Sequence, residues 1–130
     1  MKEQFVTYEI ATELKELGFN EPCFGRFVGE STFILDNGEL SQEQNTTTYA
    51  PLAPLWQQVI DWLREKHNIH IIIDKVCNVD NSITFWNYEL CYVNKDDIIM
   101  DDKCRGLRLY EEARKQAILK AIELIKTRQK

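Results

Sequence analysis

Residues able to do chemistry are sparse in this chain of 130 residues, and the closest approach to a reactive set is a histidine, a cysteine and a glutamate: His70, Cys91 and Glu89. A thiol beside an imidazole, with a carboxylate to orient it, is the arrangement of an activated nucleophile. His70 is distant in sequence from the Glu89 and Cys91 pair, so their meeting depends on how residues 69–93 fold. Residues 69–77 (IHIIIDKVC) and 83–93 (ITFWNYELCYV) both read as strands, joined by Val79-Asp80-Asn81-Ser82. With the turn centred between Asp80 and Asn81, paired residue numbers sum to 161. Ile73 then faces Tyr88, Ile71 faces Leu90, Lys75 faces Trp86 and His70 faces Cys91, with Glu89 a diagonal neighbour.

That register gives one apolar face, made of Ile69, Ile71, Ile73, Trp86, Tyr88, Leu90 and Tyr92. The other face is mixed and holds His70, Ile72, Asp74, Val76, Phe85, Asn87, Glu89, Cys91 and Val93. A slip of one residue would scramble the two sets, so the hydrophobic pattern itself fixes the pairing. The bland reading of the same residues is packing, with Cys91 a small hydrophobe and His70 near solvent. No oxyanion-hole or glycine-turn motif accompanies them, and the Walker A, dinucleotide, GxSxG and HExxH patterns are absent.

Metals find little in the local spacing. The four cysteines, Cys23, Cys77, Cys91 and Cys104, form no CxxC or CxxH pair, which favours reduced thiols over a structural zinc. Asp96-Asp97 and Asp101-Asp102 offer oxygen ligands, but no DxDxDG loop with a distal glutamate contains them. No metal and no cofactor is expected.

Charge is divided unevenly. Residues 1–102 carry 7 basic and 18 acidic side chains, a balance of −11, and residues 103–130 carry 9 basic and 3 acidic, a balance of +6. A basic tail of that kind suits phosphate contacts, with Arg108, Arg114 and Lys115 foremost among Arg105, Lys120, Lys126 and Arg128. The alternative is electrostatic, because Lys120, Lys126, Arg128 and Lys130 oppose the negative end of a helix dipole.

The remaining elements follow from capping and periodicity. Thr7 caps a first helix carrying Ile10, Leu14 and Leu17, and Gly18 ends it, with Phe19 folding back on Leu14. Cys23–Val28 and Thr32–Leu35 make a first hairpin about Gly29-Glu30, and residues 36–50 make a polar loop of about fifteen residues. Pro54 starts a second helix whose apolar arc is Leu55, Trp56, Val59, Ile60, Trp62 and Leu63, with His67 at its edge and Asn68 turning the chain into the next strand. Ile98, Ile99 and Met100 are expected to pin a charged connection to the core. Residues 107–126 form a long helix with Ala113, Ala117 and Ala121 on one side.

The composition, 44% hydrophobic and 28% charged, is that of a globular chain, and its length suits a single domain, 1–130. No apolar run could span a bilayer and no signal core opens the chain, so a cytoplasmic protein without membrane contact is expected. The predicted fold is α+β, a two-layer arrangement in the order α-β-β-α-β-β-α, with an antiparallel sheet covered by helices on one face.

Three segments, LKELGFNEPCF, PLWQQVIDWLREKHNIHI and YEEARKQAILKAIELI, in that order and spacing, resemble small proteins carried by phages, plasmids and integrated elements of Bacteroides-type gut bacteria. The resemblance implies an accessory protein of a mobile element and brings no activity or site residues with it. Function is therefore expected to reside in the mixed sheet face. With Ile72, Phe85 and Val93 left open there, it would be the contact surface for a protein partner or a second copy. The other two readings are nucleic-acid binding through the last helix and thiol chemistry at Cys91 and His70.

Overall fold

A computed structural model describes residues 2–28, 32–35, 51–77, 80 and 84–128. The α+β class and the predicted order stand, with two further strands, and the strands form two three-stranded antiparallel sheets. The chain divides into two compact units, Met1–Val59 and Ile60–Lys130. Among the described residues no helix is long and apolar enough to cross a membrane. The 36–50 loop, the Gly29-Glu30 turn and all of the Val79–Ser82 turn but Asp80 lie outside the described residues.

In the first unit, α1 (Tyr8–Glu16) has the expected ends. The Thr7 side chain accepts from the Ile10 amide at 3.4 Å. At the other end, Gly18 adopts φ +93°, its amide donates to the Lys15 carbonyl, and the Phe19 amide donates to the Leu14 carbonyl at 2.9 Å. This paired closure satisfies two orphan carbonyls and buries Phe19 completely. β1 (Gly25–Val28) is the centre of the first sheet, with β2 (Thr32–Leu35) on one side. On the other side lies β3 (Leu52–Ala53), a two-residue strand that the sequence does not announce.

The second helix, α2 (Trp56–His67), begins two residues later than its proline suggests. Pro54 and Leu55 remain extended because they pair with the N-terminal segment. The Val6 amide donates to the Pro54 carbonyl at 3.0 Å, and Leu55 bridges Phe5. Gln58 then closes the start of the helix by accepting from the Leu55 amide through Oε1, as the third residue of a capping box does. Trp56 lies in the core, 7% exposed, with its indole N–H donating to the Glu3 carbonyl at 2.9 Å.

The second unit holds the meander β4 (His70–Cys77), β5 (Thr84–Val93) and β6 (Ile99–Leu107), in the order β4-β5-β6. The β4–β5 register is the predicted one at every pair, from His70 opposite Cys91 to Cys77 opposite Thr84. Asn68 takes φ +53° and carries the chain from α2 into β4, a conformation that asparagine tolerates better than most residues.

β6 replaces the expected charged connection. Ile98 and Ile99 are 55% and 81% exposed, so they do not pin the segment to the core; backbone pairing with β5 holds it. Its turn is built by Asn94, whose Oδ1 accepts from the amides of Asp96 and Ile98 while Asp97 sits at φ +61°. Near its other end a bulge sets Arg105 and Gly106 opposite Asn87, between the pairs Tyr88–Cys104 and Trp86–Leu107. Gly106 takes φ +81° there, and its amide donates to Asn87 Oδ1 at 3.1 Å. The extra residue keeps both Cys104 and Leu107 on the covered side of the sheet.

That cover is α3 (Tyr110–Arg128), which starts at Tyr110 because Leu107 belongs to β6. Ala113, Ala117 and Ala121 are fully buried and let the helix lie close, with Ile118, Ile122 and Ile125 filling the space toward the sheet. Each buried isoleucine contributes about 1.5–3 kcal/mol through removal of its side chain from water. In the last turn the Arg128 guanidinium donates to the His67 carbonyl at 3.0 Å and the Val93 carbonyl at 2.8 Å, and lies 5.5 Å from the Tyr92 ring centre. A charge predicted to face its own helix dipole thus also binds the C-terminal end of α2. His67 packs edge-on against Trp62, and burial first, then Arg128, lowers its pKa below the ordinary value.

Candidate functional site

α3 lies on one side of the second sheet, and the other side, where Ile72, Val76 and Phe85 are exposed among the described residues, is the mixed face of the sequence. Antiparallel pairing assigns it row by row: His70, Cys91 and Asp101; Ile72, Glu89 and Lys103; Asp74 and Asn87 beside the bulge; Val76 and Phe85. Two regions differ in character. Val76, Ile72 and Phe85 are 48%, 43% and 38% exposed, an apolar group spread over β4 and β5. Val93 is only half-buried, at the far end of β5. Between these ends, Asp74, Asn87, Tyr88, Glu89, Lys103 and Arg105 line a shallow cleft of about 120 Å³ that carries both signs of charge.

The His70–Cys91 pair meets across the ladder, but the thiol turns toward carboxylates. Cys91 Sγ lies 3.2 Å from Asp101 Oδ1 and 3.6 Å from Glu89 Oε1, while His70 Nε2 is 3.2 Å from Asn68 Oδ1. Asp101, hydrogen-bonded to the thiol, pushes the Cys91 pKa up to about 11, with desolvation and Glu89 adding to the shift. Glu89 and Asp101 also share a hydrogen bond, which raises the carboxyl of Glu89 and lowers that of Asp101. Lys103 Nζ stands 3.7 Å from Asp101 and 4.0 Å from Glu89. Two negative neighbours favour the protonated thiol, the reverse of what nucleophilic catalysis requires.

A measurable consequence follows. Peptide-mapped alkylation of Cys91 by iodoacetamide at pH 8 is expected to be slower than that of a free model thiol by about tenfold or more. The rate should climb as the pH rises toward about 11 and should be indifferent to His70→Ala. Rapid labelling that His70→Ala slows would restore the nucleophile.

Asp101 is the residue that sequence reasoning did not bring to this site. Its place opposite Cys91 depends on β6 pairing with β5, for which no local pattern speaks. Asp96, by contrast, serves the Asn94 turn through its backbone. Cys23 is buried, donates to the Glu21 carbonyl, and is pushed up to about 12 by burial, which removes it from thiol chemistry.

No family model, curated protein or solved structure matches this chain.

The basic residues at the C-terminal end are partly committed to the fold. Arg108 and Lys115 are exposed, but Arg114 is half-buried, 5.4 Å from the Tyr110 ring centre, and burial lowers its pKa. Arg128 holds two carbonyls. Glu111 and Glu112 occupy the first turn of α3 between Arg108 and Lys115. A row of arginines and lysines facing a phosphate backbone would need these positions to act together.

Proposed function

We propose that this chain is a non-enzymatic protein-interaction module whose contact surface is the uncovered face of the β4-β5-β6 sheet, and that its occupant is a second copy of the chain. The observation that carries this reading is the exposure of Ile72, Val76 and Phe85, 38–48%, on one side of a sheet whose other side is covered by α3. Val76 and Phe85 are direct cross-strand partners, and the row of Asp74 and Asn87 separates them from Ile72. Apolar and charged rows thus share the face, and exposed apolar side chains set among charges are the composition of a contact surface.

Charge supports a second copy as the partner. Asp74, Glu89 and Asp101 share the face with Lys103 and Arg105, so a two-fold axis through it can set the basic residues of one protomer against the acidic residues of the other. An accessory role in a mobile element, which the sequence resemblance implies, is compatible with such a module.

Light-scattering mass measured over a concentration series is expected to show a dimer that dissociates on dilution. Val76→Thr with Phe85→Thr, which keeps a strand-favouring pair, should weaken association by at least about tenfold, the effect of roughly 1.4 kcal/mol, while lowering the thermal midpoint of the monomer only slightly. A chain that stays monomeric at the highest attainable concentration would contradict the reading.

A further inference from the structure

Glu89, Cys91 and Asp101 are gathered closely enough to share a metal ion, and His70 stands across the ladder from Cys91 in the same row. One ligand atom from each of Glu89, Cys91 and Asp101 lies within 4.8 Å of the other two. We propose that these three residues, with His70 as the fourth donor, bind one divalent cation of the zinc class on the uncovered face of the sheet.

The kind of donor selects the kind of ion. Zinc and its borderline-soft neighbours accept thiolate sulfur, imidazole nitrogen and carboxylate oxygen together, usually four of them in a tetrahedron. Calcium and magnesium call for six or more oxygen ligands and leave the sulfur unused. Bond lengths of about 2.0–2.3 Å place the ligand atoms of tetrahedral zinc roughly 3.2–3.8 Å apart. The Sγ to Oδ1 and Sγ to Oε1 separations, 3.2 and 3.6 Å, already fall in that range.

Position matters as much as type. Glu89 and Cys91 are alternate residues of the central strand, and Asp101 and His70 are the direct partners of Cys91 on either side, so all four project from one face. A hydrogen-bonded ladder fixes these origins more firmly than a loop would. This separates the set from the acidic pair Asp96-Asp97, which lies in a turn and has no cysteine or histidine beside it in the sequence.

Two exposed contacts and one proton must give way: the Cys91 thiol releases its proton to solvent as the sulfur takes up the ion. His70 Nε2 would exchange Asn68 Oδ1 for the ion, and the Lys103 ammonium, 3.7 and 4.0 Å from the two carboxylates, would withdraw. Solvent-exposed ion pairs of this kind contribute little to stability, so their loss is a small opposing term. Lys103 now supplies the positive charge that the ion would supply more strongly. It is therefore a competitor of the ion, and its removal should tighten binding. The site stands on its own geometry, whether or not the face also joins two copies.

The test uses the reduced, metal-free full chain titrated with cobalt(II) as a spectroscopic substitute for zinc. A saturable thiolate-to-cobalt charge-transfer band, at one ion per chain and abolished by excess zinc, is expected. Cys91→Ser and Cys91→Ala should each remove the band. Asp101→Asn, Glu89→Gln and His70→Ala should each weaken binding by about tenfold or more, and Lys103→Met should strengthen it. All these positions lie on the uncovered face, and an unchanged far-ultraviolet spectrum confirms folding. The proposal is overturned by the absence of a band at millimolar cobalt, by a band that survives Cys91→Ser, or by unchanged affinity in Asp101→Asn.

Discussion

Replacing Leu90 by alanine is expected to cost about 2–5 kcal/mol in unfolding free energy, whereas Phe85→Ala on the same strand should cost less than about 1 kcal/mol. Leu90 is fully buried on the side of β5 that faces α3, and its truncation leaves a hole that Ile118, Ile122 and the rest of a packed core cannot collapse to fill. Phe85 projects from the opposite side and is 38% exposed, so the larger side chain is the cheaper to lose. Urea denaturation of the two variants gives the comparison directly through the midpoints, provided the slopes agree. Equal losses would mean that the sheet has no uncovered face.

The second large effect belongs to the first unit. Gly25→Val is expected to destabilise it by about 1–3 kcal/mol or more, with Gly25→Ala smaller in the same direction. Gly25 is buried at the start of the central strand, paired with Leu35 on one side and Ala53 on the other. A Cβ there would stand 2.6 and 2.9 Å from two ring carbons of Phe33 and 3.1 Å from the ring of Phe5. Those two rings are themselves in contact, with centroids 4.8 Å apart, and Phe27 meets Phe33 at 5.9 Å. The glycine is there because the aromatic cluster lies against the backbone, and its φ is unexceptional. Thermal unfolding followed by near-ultraviolet circular dichroism would register the loss of that cluster, and an unperturbed signal would refute the close approach.

These two cases show which parts of the molecule are legible in the sequence. The β4–β5 hairpin is legible because Ile69, Ile71 and Ile73 share a face with Trp86, Tyr88 and Leu90, and a shift of one residue would mix the two faces. α1 is legible from Thr7 and Gly18, where capping chemistry is local. β6 is hidden for two physical reasons. Asp102 lies on its covered side, made tolerable by the Tyr92 hydroxyl, which donates to Asp102 Oδ2 at 3.0 Å. The bulge at Arg105 and Gly106 then shifts the phase of whatever alternation remains. β3 is too short to show a period, and Pro54 misleads because pairing with Phe5 and Val6 holds it in an extended segment.

The candidate site divides along the same line. His70 and Cys91 are placed opposite each other by a register that the sequence determines, and Ile72 and Phe85 are on the open face as expected. What changes the chemistry is Asp101, delivered by the strand that the sequence conceals. With it, the cysteine becomes a thiol held protonated between carboxylates, and a set suited to a nucleophile becomes one suited to a cation.

The most direct test of the central claim is the change in methyl and aromatic chemical shifts of the chain on dilution. If the uncovered face joins two copies, the signals of Ile72, Val76 and Phe85 move with concentration along one binding curve, while those of Ile118 and Ile122 beneath α3 stay fixed. Movement confined to other surfaces, such as Leu119 on the outer side of α3, or no movement at any concentration, would contradict it.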